Sequence, residues 1–218
     1  MIEIKDFSKS YGDNKVYENF NLRVEDDKIT CILGESGCGK TTLLNAIAGV
    51  IPFDGEITSG KYSYVFQEPR LVPNLTVEDN LKLVSKDEEK IRDMLQKLHI
   101  EDKAKSYPKN LSGGQAQRVS LARAFLFESD CILMDEPFSS LNLKLKREII
   151  DLFIKILKED KRCALFVTHD IDEALTLAER IVVLKDGVVV YDKNLEGGVP
   201  RDYNEEQRRE LISVLVNI

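Results

Sequence analysis

Apolar residues along this chain follow two periods, and the change from one to the other marks its organisation. Ile29-Thr30-Cys31-Ile32-Leu33, Cys131-Ile132-Leu133-Met134 and Cys163-Ala164-Leu165-Phe166-Val167 are continuous apolar runs that read as buried strands, and Tyr62 to Phe66 reads as another. Between the second and third runs, Leu145, Ile149, Leu152, Phe153 and Ile156 recur at helical spacing. Strand, helix, strand order predicts an α/β chain with a mainly parallel sheet covered on both faces. Strand-like runs around Ile2-Phe7 and Asn19-Val24 come first, and Ile181-Leu184 with Val188-Tyr191, joined through Asp186-Gly187, predicts a closing hairpin. From about Leu71 to Phe127 the pattern becomes helical: Ile91, Met94, Leu95 and Leu98 recur at i, i+3, i+4 and i+7, and Val119, Ala122 and Leu126 fit a further helix. Residues 71–127 therefore read as a helical subdomain inserted into a core of 1–70 and 128–218, within one domain spanning 1–218. The tail from Tyr203 to Ile218 predicts a short amphipathic helix.

Composition narrows the classes. The 218 residues are 43% hydrophobic and 32% charged, enough for one substantial core. A net charge of -7 argues against nonspecific attraction to nucleic acid or to an anionic membrane surface, so no nucleic-acid partner is expected. The start, Met1-Ile2-Glu3-Ile4-Lys5-Asp6-Phe7, lacks the basic and apolar regions of a signal peptide, and no apolar stretch approaches membrane-spanning length. A cytoplasmic location is expected, with any membrane role supplied by a partner. Cys31, Cys131 and Cys163 lie within apolar runs and are expected as reduced core thiols; Cys38 reads as a small spacer. Two histidines, His99 and His169, and no C-x-x-C pair give no basis for structural zinc.

The chemistry begins at Gly34-Glu35-Ser36-Gly37-Cys38-Gly39-Lys40-Thr41-Thr42, which fits G-x-x-x-x-G-K-[ST] without mismatch. It follows a predicted strand, and Leu43-Leu44-Asn45-Ala46-Ile47-Ala48 after it has helical spacing. Glycines let backbone N–H groups turn inward around phosphates, and the helix N-terminus favours the anion. In such a loop Lys40 would reach the β- and γ-phosphates of ATP and the Thr41 hydroxyl would ligate Mg²⁺. A second apolar strand ends in Asp135-Glu136: alternation lets Asp135 face the Mg²⁺ shell, and Glu136, just past the strand, addresses a water near the γ-phosphate. Ser112-Gly113-Gly114-Gln115 opens a helix carrying Gln117, Arg118 and Arg123; Ser112 is a natural N-cap, and this helix start is a candidate second anion site.

Together these segments resemble the nucleotide-binding subunit of an ATP-binding cassette (ABC) transporter, from Ile2 to about the last twenty residues. Gly34 to Thr42 is similar to Walker A, Cys131 to Glu136 to Walker B with its catalytic glutamate, and Leu111-Ser112-Gly113-Gly114-Gln115 to the LSGGQ signature. Gln67 in Val65-Phe66-Gln67-Glu68-Pro69 falls at the Q-loop glutamine, His169 in Val167-Thr168-His169-Asp170 at the switch histidine, and Tyr11 in Ser8-Lys9-Ser10-Tyr11-Gly12 at the aromatic that stacks on adenine. The resemblance implies a P-loop NTPase fold with a RecA-like core and an N-terminal antiparallel β region. Catalysis is implied for Glu136, His169 and Gln67. It implies Mg²⁺ contact for Thr41, Asp135 and Gln67.

In the family the signature of one subunit closes over ATP held by the other. The resemblance therefore implies a homodimer of cassettes acting on a transmembrane permease subunit at the inner face of the membrane, and indirectly on a solute-binding protein. The chain departs from the family at Asn142, usually Asp, which is expected to weaken one contact across the dimer. Phe66 to Val77, Val167 to Ala174 and Tyr107-Pro108 are similar to the nitrate, sulfonate and taurine importer group. They imply import of a small organic or inorganic anion by a bare motor subunit, with no regulatory C-terminal domain expected. A non-transport ABC ATPase acting as a soluble dimeric switch is the alternative, but it usually carries two cassettes or a long coiled coil. A small-molecule kinase would have no use for the signature segment.

Overall fold

The computed structural model describes residues 1–58, 60–139, 141–160, 162–201 and 204–216. Among the described residues, nine strands form two sheets. β1 (Ile2–Tyr11), β2 (Asn14–Val24) and β4 (Asp54–Ile57) make an antiparallel sheet in the order β2-β1-β4. β3 (Ile29–Leu33), β5 (Tyr62–Val65), β6 (Cys131–Asp135), β7 (Cys163–Thr168), β8 (Arg180–Lys185) and β9 (Val188–Asn194) make a second, in the order β5-β6-β7-β3-β8-β9. All its neighbours are parallel except β8 and β9. That last pair is the predicted hairpin, and Asp186 and Gly187 at its turn both have positive φ, as a tight two-residue connection requires.

Period-two alternation splits the buried strands between two cores. Ile32, Leu133, Leu165, Val167, Val182 and Leu184 face helix α1 (Lys40–Ile47) and the antiparallel sheet, where Phe7, Tyr17 and Phe20 pack edge to face. Cys31, Leu33, Ile132, Met134, Phe166 and Ile181 face the other way, toward the remaining helices. These are α2 (Val77–Lys82), α3 (Glu88–Lys97), α4 (Gly113–Leu126), α5 (Leu143–Asp160), α6 (Ile171–Leu177) and α7 (Glu205–Val216). Helices α2, α3 and α4 pack on one another through Val77, Leu81, Ile91, Leu95 and Val119. Among the described residues, no helix is long and apolar enough to cross a membrane.

Two expectations change. β1 and β2 run well beyond Ile2-Phe7 and Asn19-Val24, because bulges at Asp6 and Asn19, both with positive φ, break the alternation while the pairing continues to Tyr11 and Asn14. Cys131 and Cys163 are not reduced thiols: they stand in register on adjacent parallel strands, Cα atoms 4.8 Å apart, and form a disulfide. Cys31 is free and buried.

Candidate nucleotide site

The phosphate-binding loop lies between the end of β3 and the start of α1. Gly39, at φ 103°, caps the helix without any side chain, so the first N–H groups of α1 are left to a ligand. A Cβ on Gly39 would lie 2.8 Å from both the Tyr17 ring and the Val16 side chain, which restricts the position to glycine. Lys40 is buried, and its ammonium donates to the carbonyls of Gly34 (2.7 Å) and Glu35 (2.8 Å), bracing the loop. Burial pushes the Cys38 thiol pKa up despite the nearby Lys40, which fits the spacer reading.

Strand parity brings Asp135 to this loop. It follows Cys131 and Leu133 on the face of β6 that meets α1, and its carboxylate accepts from the Thr41 hydroxyl at 2.9 Å. Asp135 is 8% exposed, and burial raises its pKa above the ordinary carboxylate range; the Thr41 hydroxyl lowers it, Glu136 raises it and Lys40 lowers it. A hydroxyl and a desolvated carboxylate are hard oxygen donors that suit Mg²⁺.

Glu136 leaves the strand in the left-handed region at φ 43°, a conformation that costs a non-glycine residue about 1 kcal/mol. Its N–H still bonds the Val167 carbonyl at 3.0 Å, while its carboxylate lies 3.1 Å from Nδ1 of His169, just beyond the neighbouring strand β7. Ser139 closes the turn by donating its hydroxyl to the Glu136 carbonyl (3.0 Å), and Gln67, two residues past β5, donates Nε2 to that hydroxyl (3.2 Å). Gln67 thus joins the turn carrying Glu136 rather than bonding Thr41 or Asp135.

A cleft of about 320 Å³ is walled by Tyr11 and Val16, by Ser36, Gly37 and residues 39–42, and by Glu136; Asp135 and His169 stand behind it, in contact with its Thr41 and Glu136, and Gln67 is not among its walls. Tyr11 is half exposed, with the Lys9 ammonium 5.1 Å from its ring centre. Val16 enters the wall only through the fold, since an isolated valine in a polar strand carries no signal until β2 folds beside β1. The signature residues do not line this cleft. Ser112 caps α4 in a full capping box, its hydroxyl accepting from Gln115 N (3.3 Å) while Gln115 Oε1 accepts from Ser112 N (2.9 Å). Gly113 is open to solvent, whereas a Cβ on Gly114 would fall 2.2 Å from Leu145 at the start of α5. Asn142 caps α5 by accepting from Leu145 N at 3.0 Å, a task Asn and Asp perform about equally well.

Comparison with known proteins gives a consistent picture. The sequence pattern of the family described as "ABC transporter" matches residues 17–139. An aliphatic sulfonates import ATP-binding protein, SsuB 1 of Paracoccus denitrificans, is 38% identical, covering 98% of this chain and 93% of its own length. The sulfate/thiosulfate import ATP-binding protein CysA of Pseudomonas syringae pv. tomato is 37% identical over 86% of this chain and 65% of its own. Among solved structures, the ATP-binding cassette MJ0796, dimeric in a post-hydrolysis state bound to ADP and Pi, superimposes with a TM-score of 0.80 at 31% identity, covering 91% of this chain and all of that one.

Proposed function

Since this chain belongs to the ABC transporter family, we propose that it is the ATP-hydrolysing subunit of an importer for a small anion, with the cleft at Lys40 as its nucleotide site. The observation that carries the reading is the convergence there of Lys40, the Thr41–Asp135 pair and the Glu136–His169 pair, supplied by three different strand ends. Lys40 and the loop N–H groups bind the β- and γ-phosphates, and Tyr11 offers its ring to the adenine. Thr41 and Asp135 would hold Mg²⁺, which supplies charge neutralisation on the phosphates. Glu136 accepts the proton of the attacking water, and His169 holds the carboxylate in position. Gln67, through Ser139, connects that turn to the helices of 71–127, the segment we assign as the inserted subdomain.

The signature lies outside the cleft of its own chain, which supports a head-to-tail homodimer in which residues 112–115 close over the partner's ATP. A sulfonate or sulfate class of solute is supported by the relatives that import those anions. A membrane permease, with the cassettes bound on its inner face, completes the assembly. The direct test of the phosphate site is Lys40→Ala. Losing charge-assisted bonds worth about 1.5–3 kcal/mol should weaken ATP binding by about 10- to 150-fold in equilibrium titration. Unchanged affinity would remove Lys40 from the phosphates.

A further inference from the structure

One buried charged cluster lies outside the nucleotide cleft. Glu173, in the first turn of α6, is 3% exposed, and its carboxylate accepts from the hydroxyl of Thr168, the last residue of β7, at 2.7 Å. The same carboxylate is ion-paired with Lys146 at 2.5 Å, and the Lys146 ammonium also bonds Asp170 at 2.9 Å. Asp170 caps α6 by accepting from the N–H groups of Asp172 and Glu173, and its own N–H donates to Thr168 Oγ1 at 3.0 Å. His169 is therefore flanked by Asp170, which meets that ammonium directly, and by Thr168, which is linked to it through Glu173. That ammonium belongs to another helix: Lys146 sits in the first turn of α5, with its N–H on the carbonyl of Asn142.

The charges are committed to one another. Burial pushes the Lys146 pKa down, but the bonds from Glu173 and Asp170 outweigh it and hold the ammonium protonated; Lys146 in turn keeps Asp170 ionised against burial.

We propose that Lys146 is a positioning residue for ATP hydrolysis: by holding Asp170 and Glu173 on one ammonium, it fixes the bearing of His169 on Glu136 and ties that bearing to the start of α5 at Asn142. The inference rests on the reading of Glu136 and His169 as the hydrolytic pair. It makes the His169–Glu136 distance depend on where α5 sits, so a shift of its start at Asn142 is felt at the reacting water.

Steady-state ATPase kinetics on the full chain test it. Lys146→Met alone would strand a buried charge, so it is combined with Glu173→Gln, which keeps an acceptor for the Thr168 hydroxyl. The double variant should lose about tenfold in kcat, or about 1.4 kcal/mol, with KM for ATP within about twofold of the parent. Lys146→Arg, whose guanidinium can bridge both carboxylates, should stay within about threefold of the parent kcat. In a His169→Ala background the double variant should slow the residual rate by less than about twofold, because the group it positions is gone.

Parental kcat in the folded double variant overturns the proposal, as does a further tenfold loss on top of His169→Ala, which marks a purely structural role. Should the double variant not fold, Asp170→Asn replaces it: this keeps the cap, and parental kcat there overturns the proposal equally. Glu136→Gln separates the two levels. If it hydrolyses ATP normally, the site reading fails; if it is inactive while the Lys146 double variant is normal, only the positioning role fails.

Discussion

Asp135→Asn distinguishes a carboxylate held for a cation from one that holds the fold together. The side chain is almost fully buried, accepts from the Thr41 hydroxyl, and lies near a lysine whose ammonium is committed to the carbonyls of Gly34 and Glu35. Burial raises its folded pKa above the unfolded value, so the native state binds the proton more readily than the unfolded chain. With that sign, stability without ligand falls as pH rises from the unfolded value, about 3.9, through the raised folded one, and the carboxylate remains a penalty at neutral pH. Asn keeps an oxygen for Thr41 and removes the charge. A buried carboxylate costs more to desolvate than the amide that replaces it; each pKa unit by which the folded value is raised corresponds to about 1.4 kcal/mol, and the lost attraction to Lys40 offsets part of the gain, so a net stabilisation of about 1 kcal/mol is expected. For a chain of this length that is a rise of about 2–4 °C in the thermal midpoint without nucleotide. The same variant should lose most of the further rise that Mg²⁺ with ATP gives the parent. A variant that melts lower than the parent without nucleotide, or gains as much from Mg²⁺ and ATP, would mean that Asp135 holds the fold rather than the cation.

Two further outcomes follow from the geometry. Gly187→Ala places a Cβ 2.3 Å from the Val16 carbonyl at a φ of +75°, so a loss of about 2–4 kcal/mol is expected in denaturant unfolding, with weaker ATP binding because Val16 walls the cleft; an unchanged midpoint contradicts this. Ser112→Arg and Lys40→Ala damage opposite halves of a shared site, so neither homodimer should turn over well. A mixture, after confirmed subunit exchange, holds one intact site per heterodimer and should trap more ATP than either parent; no gain would end the head-to-tail arrangement.

The parts of this protein that depend on local chemistry are readable in its sequence. The phosphate loop needs glycines at fixed offsets and a following lysine, Ser112 with Gln115 spells a capping box, and alternation along β6 already turns Asp135 toward one face. What depends on which strands become neighbours is not readable. Cys131 and Cys163 are 32 residues apart and meet only because β6 lies beside β7. Strand β4, Asp-Gly-Glu-Ile, has no apolar pattern and is held by pairing with β1. Lys146 carries no signal beside Lys144 until the start of α5 comes to Asp170 and Glu173. The family resemblance implies Mg²⁺ contact for Gln67, and the fold presents its amide to Ser139.

Glu136 is the group we assign to activating water in an ATP-hydrolysing site. Glu136→Gln keeps the shape and the contact with His169 while removing the base, worth about 10²- to 10⁴-fold in rate. The decisive measurement is single-turnover hydrolysis of bound ATP by this variant, with sizing to follow association. ATP is expected to bind with near-parental affinity, hydrolysis to slow by at least about a hundredfold, and a dimer to persist while ATP is present. Near-parental turnover in the folded variant would contradict the assignment.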